Sequence, residues 1–142
     1  MENTIKRSKA LFDEGFGCAE AVLMAVAEYK NIQSELIPRI ATGLCGGVSK
    51  TNGMCGAVSG GVLAISMIYG RNKVEDSRDA LNTKTQAFIK EFNEEFGSIA
   101  CTALSGCDLS TDEGLVKFDK ENIHAKCCEF VGEATRSVIK IL

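Results

Sequence analysis

Although the chain carries seven cysteines, no two of them form a Cys-x-x-Cys pair. That absence counts against both a thioredoxin-like site and a zinc knuckle, since resolving attack and two-ligand turns depend on the short spacing. Runs of like charge are missing too. The 16 basic and 19 acidic residues leave a formal charge of -3, with no phosphate-tracking stripe, which argues against nucleic acid as a partner. No apolar core and small-residue cleavage site follow Met1 to Ser8, so no secretory signal is read and a cytoplasmic protein is expected. In such a reducing compartment structural disulfides rarely persist, and an odd cysteine count suits a full disulfide framework poorly. Tryptophan is absent, and proline and histidine occur once each, as Pro38 and His124. No alternation of apolar and polar residues is long enough for a strand.

What is present is helical periodicity and sulfur. With 45% hydrophobic and 25% charged residues over 142 positions, the composition excludes disorder and predicts one all-α domain, residues 1–142, with a real core. The spacing predicts helices over Thr4–Glu14, with Ile5, Ser8 and Phe12 inward, and over Cys18–Lys30, with Cys18, Ala21, Val22, Ala25, Val26 and Tyr29 on one face. Ser34, Glu35 and Pro38 suggest a short helix running to about Thr42. Gly43 to Gly56 holds five glycines and reads as an irregular loop. Ala57–Tyr69 is apolar on nearly every side, the mark of a central helix wrapped by amphipathic ones. The uncharged stretch Gly53–Gly70 is long enough to raise a membrane span, but Gly53, Gly56, Gly60, Gly61, Ser59 and Ser66, with no flanking anchors, suit a buried helix better. Further helices are expected over Asp76–Phe96, Cys101–Leu104, Thr111–Glu121 and Lys126–Leu142.

Four cysteines fall at expected helix beginnings: Cys18, Cys55, Cys101 and Cys127. There, unpaired N–H groups and the positive end of the helix dipole favour a thiolate, the reactive and ligating form. Helix starts of a bundle can point at a common place, so these four residues are expected to gather at one end of the fold. Against this stands core filling, since free cysteine is among the most buried residue types. Gly53 and Gly56 would let backbone amides approach the sulfurs. His124 lies three and four residues before Cys127 and Cys128, a spacing open to metal ligation or to a base acting on Cys128, although a lone histidine at a helix start more often caps or faces solvent. The glycine loop lacks the lysine-serine ending of a phosphate cradle, and Glu94 and Glu95 point too far apart on a helix to act as paired carboxylates.

Cys55-Gly56-Ala57-Val58-Ser59-Gly60 reads as a Cys-Gly-Ala-x-x-Gly motif. With it the chain resembles the bacterial and archaeal C_GCAxxG_C_C family, described as redox-active, over nearly its whole length. Gly15 to Val22, around Cys18, is similar to that family's first cysteine segment, with glutamate at Glu20 where glutamine is expected. Cys101 to Gly106, leading into Asp108, Leu109 and Ser110, is similar to the third, and Cys127 with Phe130 and Val131 to the last. The resemblance implies a small helical protein with motif cysteines Cys18, Cys55, Cys101 and Cys127, and an iron-sulfur cluster as its prosthetic group. Cys45, Cys107 and Cys128 lie outside that pattern, as extra ligands, resolving thiols or core atoms. Taken together, the reading is a metal-binding or iron-sulfur redox protein serving an unidentified electron donor or acceptor, with a symmetric homodimer as a way to complete the ligand set. Two alternatives stand beside it: a thiol-disulfide enzyme in which Cys55 attacks, and a non-catalytic module stabilised by zinc.

Overall fold

The computed structural model covers residues 1–142 and has no β-strand. Its α-helices are α1 (Glu2–Glu14), α2 (Cys18–Tyr29), α3 (Cys45–Lys50), α4 (Gly56–Tyr69), α5 (Asp79–Phe96), α6 (Cys101–Ser105), α7 (Asp112–Lys120) and α8 (Ile123–Ile141), with a 3-10 helix at Arg39–Leu44 between α2 and α3. The fold is all-α, and no helix is long and apolar enough to cross a membrane.

The inner stripe of α1 is buried at Ile5, Ser8, Leu11 and Phe12, and Gly15 stops the helix at φ 117°, its N–H bonding back to the carbonyls of Leu11 and Phe12. Such a φ costs glycine little and other residues much. At the centre of the bundle the apolar helix α4 packs against α2. Along α2, Ala19, Ala21, Val22, Leu23, Ala25, Val26 and Ala27 are all buried. On α4 the buried residues run from Gly56 to Gly61 and then include Ala64 and Ile65, while Val62, Leu63, Met67 and Ile68 are only partly covered. Tyr29, expected on the apolar face of α2, is exposed at the helix end.

Small residues bring α2 and α4 together. A Cβ on Gly60 would stand 2.6 Å from the Ala19 carbonyl oxygen, and toward α5 one on Gly61 would stand 2.4 Å from the Phe88 ring. Helix α8 packs on α1, α2, α4 and α5. It contributes Phe130, Val131, Ala134 and Val138 to a core cluster of 21 buried residues. Burying a large apolar side chain of this kind is worth about 1.5–3 kcal/mol, so the bundle is held mainly by this interior.

Three element starts differ from expectation, each for a local reason. The Ser34 hydroxyl accepts from Leu36 N–H at 3.1 Å, a turn bond in place of a helix cap, and the short helix begins only at Arg39. Asp76 accepts from Asn72 N–H and Ser77 accepts from Asp79 N–H, so those residues close a loop and α5 opens later. Asn122, left-handed at φ 50°, starts α8 at Ile123, earlier than Lys126. The glycine loop is also more ordered than expected. Gly46, Gly47, Val48 and Ser49 have φ between 54° and 68°, which makes α3 a left-handed turn. It is tied by Gly53 N–H to Gly47 C=O at 2.8 Å and by the Ser49 hydroxyl to Gly43 C=O at 2.8 Å.

Candidate functional site: a sulfur-lined cavity

Five cysteines from five elements line one cavity of about 140 Å³: Cys18, Cys45, Cys55, Cys101 and Cys127. Cys18 is the first residue of α2 and Cys101 the first of α6, and Cys55 caps α4. A short backbone clamp sets two of them. Met54 and Ala100 form an antiparallel bridge, with Cys55 N–H donating to Ile99 C=O at 2.7 Å and Cys101 N–H to Gly53 C=O at 2.9 Å. Phe12, Leu104, Phe118 and Phe130 supply apolar wall, and Phe130 is itself braced edge-on against Phe96 at 4.9 Å.

Glycines seat the sulfurs. A Cβ on Gly56 would lie 2.3 Å from Cys18 Sγ, and one on Gly17 would lie 2.3 Å from Cys45 Sγ. On Gly47 it would lie 2.6 Å from Cys101 Cβ. Cys18, Cys45 and Cys101 therefore rest on backbone that only glycine leaves bare. Glu20 organises the rim: its carboxylate accepts from Gly17 N–H at 2.8 Å, from the Thr42 hydroxyl at 2.7 Å and from the Cys45 thiol at 3.8 Å.

The thiols are not equivalent. The Cys18 thiol is held below its ordinary value, chiefly by the neighbouring Cys45 thiol and also by the Gly46 N–H. The same neighbour, with burial, drives the Cys45 thiol upward. Burial lifts Cys55 to about 11, against N–H groups of Ala57 and Val58 that pull it down, and it lifts Cys127 to about 12. Cys101 is raised by burial as well. The expectation that helix starts would depress all four thiols is thus corrected for three of them, because desolvation of the charged form outweighs the helix terminus. For Cys127 the premise also changes: it is the fifth residue of α8, past the turn where N–H groups are free.

Other candidates lie elsewhere. Cys107 is buried off the cavity wall, its thiol on Ser105 C=O at 3.6 Å. Cys128 is partly exposed, with burial and then Asp13 raising it. His124 stacks on Phe12 at 4.3 Å and bonds Asp13 at 3.0 Å, so its partner is a carboxylate rather than a thiol. Gly53 approaches the backbone of Cys101, not a sulfur, and a Cβ there would meet Val48 at 3.0 Å. Gly17, Gly47 and Glu20 were not anticipated as site residues. Of these, Glu20 had a signal, since it stands three residues after Gly17 at capping spacing. No group of three or more histidine, cysteine, aspartate or glutamate side chains is gathered closely enough to hold one metal ion.

A family model described as "Putative redox-active protein (C_GCAxxG_C_C)" matches residues 16–141. An uncharacterized protein of Archaeoglobus fulgidus is 29% identical, over 99% of this chain and 94% of its own length. No solved structure matches.

Proposed function

The chain belongs to the C_GCAxxG_C_C family, and from that premise we propose that it is a redox-active protein in which Cys18, Cys55, Cys101 and Cys127 hold an iron-sulfur cluster. The observation that carries this reading is the convergence of those four thiols, from separate elements, on one apolar cavity. The donor set suits the group: thiolates are its usual ligands, and N–H groups directed at sulfur with restricted solvent are the features that tune it. Here Ala57 and Val58 direct N–H groups at Cys55, and Gly46 directs one at Cys18. A single zinc ion is served less well, because no three donors meet at one point, whereas a cluster spreads its ligands over several metal atoms.

When bound, a cluster would supply one-electron transfer, from an electron donor protein or to an acceptor protein. The residues of the chain do the rest. Phe12, Phe118 and Phe130 exclude water and keep the local dielectric low, which strengthens the N–H to sulfur interactions. Gly56 and Gly47 leave room for Cys18 and Cys101 to face inward.

The test is anaerobic purification of the full chain with assay of iron and acid-labile sulfide and a visible spectrum. Iron and sulfide in comparable amounts, with colour bleached by a strong reductant, are expected. A Cys127→Ser variant should lose both while keeping its helical circular dichroism. A colourless, iron-free anaerobic preparation with all seven thiols free to titrate would overturn the cluster.

A further inference from the structure

Of the five cavity cysteines, two stand apart in their geometry. Cys18 and Cys45 line the same cavity, and both, like Cys101 and Cys127, retain some solvent exposure, whereas Cys55 is buried. Cys45 Sγ lies directly over Gly17, so close that a Cβ there would stand 2.3 Å away, and Cys18 is the next residue in the chain. The Cys45 sulfur lies 3.8 Å from Glu20 Oε1 and 3.6 Å from the Ala41 carbonyl oxygen. This is the arrangement that thiol-disulfide exchange requires: one sulfur to attack and another within reach to resolve. A cluster has no need of it, since four cavity sulfurs remain without Cys45.

We propose that, in the cluster-free chain, Cys18 and Cys45 form a dithiol pair that is oxidised to an intramolecular disulfide by a low-molecular-weight organic disulfide, Cys18 attacking and Cys45 resolving. The Cys18 thiolate attacks one sulfur of R–S–S–R. A Cys18–S–S–R bond forms, the R–S–S–R bond breaks, and the departing RS⁻ takes a proton to become RSH. Cys45 then gives up its proton, for which Glu20 is the nearest carboxylate, and attacks the Cys18 sulfur. The Cys18–Cys45 bond forms and a second RSH leaves. In sum, two protein thiols lose two electrons and two protons, and one organic disulfide gains them as two thiols.

The inference rests on reading the cavity as a redox site, but not on the cluster, because Cys18 is available only when it ligates nothing. Oxidation in this pair would withdraw one of the four proposed ligands and so couple the thiol state of the surroundings to cluster loading.

The experiment takes the full chain, reduced in the presence of a chelator and desalted without oxygen, and adds oxidised glutathione. Peptide mass spectrometry at successive times then reads the bonds. The first protein disulfide is expected to link the peptides holding Cys18 and Cys45. In Cys45→Ser, glutathione should accumulate on Cys18. In Cys18→Ser, Cys45 should stay reduced on the same timescale. Gly17→Ala keeps both thiols but pushes the Cys45 sulfur away, so the Cys18 mixed disulfide should persist several-fold longer; circular dichroism verifies that each variant is folded. A first disulfide between any other pair, or unchanged modification of Cys45 when Cys18 is replaced, overturns the proposal. Neither result bears on iron and sulfide content, which separates its failure from that of the cluster.

Discussion

Replacing Gly56 by alanine tests whether glycine backbone is what seats the Cys18 sulfur. The new Cβ would stand 2.3 Å from Cys18 Sγ, against the 3.4 Å at which ordinary contact begins, and it would also press on Ala19 N at 3.2 Å and Leu44 O at 3.3 Å. Those backbone neighbours leave no easy escape, so the sulfur must move by more than a bond's tolerance or the start of α4 must tilt. Overpacking of this kind costs about 1–3 kcal/mol, partly offset by up to about 1 kcal/mol of helix propensity gained by alanine over glycine. A net loss of about 1–2 kcal/mol is expected. Cys18→Ala removes the atom that is struck. In a double-mutant cycle the two changes should therefore couple favourably by about 1–2 kcal/mol, as contacting residues do. Urea denaturation of the reduced, metal-free proteins at constant m reads these differences as midpoint shifts. The reasoning fails if Gly56→Ala is as stable as the parent, or if the two losses add to within about 0.5 kcal/mol.

Other substitutions separate backbone clash from strain and from side-chain contact. Gly60→Ala drives a Cβ to 2.6 Å from the Ala19 carbonyl oxygen and should destabilise by about 3 kcal/mol or more, whereas Gly97→Ala, at φ 81° with open space around it, should lose only the left-handed penalty of about 1–2 kcal/mol; thermal melts of the pair give the comparison. The Thr111 hydroxyl accepts from Gly114 N–H at 3.0 Å at the start of α7, so Thr111→Ala should cost about 1 kcal/mol and Thr111→Ser much less, measured in the same way. For pH, burial raises the Cys55 thiol from 9.0 to about 11, so the native state holds its proton more tightly than the unfolded chain does. The associated stability is complete below pH 9 and is lost as pH rises through 11, about 3 kcal/mol at most. Urea midpoints from pH 8 to pH 11 should fall, and Cys55→Ala should flatten that slope; an unchanged slope would count against burial as the cause.

Much of the bundle is written in apolar spacing. Ile5, Ser8 and Phe12 of α1, and Phe130, Val131, Ala134 and Val138 beside Cys127 on α8, occupy the inner faces that a period of 3.6 assigns them. What periodicity could not supply is where hydroxyls and carboxylates spend their bonds. Ser34 turns back on Leu36 and Asp76 on Asn72, and both choices move an element start by several residues. The left-handed turn at Gly46 to Ser49 was hidden for a different reason. Val48 and Ser49 have no intrinsic preference for positive φ, so only tertiary bonds such as Gly53 N–H to Gly47 C=O make that conformation hold. The position of Cys45, already a candidate extra ligand or resolving thiol, was hidden with it. It sits outside the four-cysteine spacing, and its place beside Cys18 follows from the path of the intervening loop rather than from any local pattern.

The Cys-Gly-Ala-x-x-Gly stretch acquires a physical meaning from these contacts. Gly56 and Gly60 are four residues apart on α4 and so share a face. The first seats the Cys18 sulfur and the second the carbonyl oxygen of Ala19, the next residue along α2. Between them Ala57 is fully buried, and its N–H is directed at Cys55. One short segment therefore carries a cysteine, supplies an N–H to its sulfur and fixes how closely a second cysteine on another helix can approach. The glycines are in this sense part of the sulfur site, since larger side chains at 56 or 60 would act through the separation of α2 and α4 on the relation of Cys18 to Cys55. A motif of this form encodes the distance between two thiols as much as the presence of one.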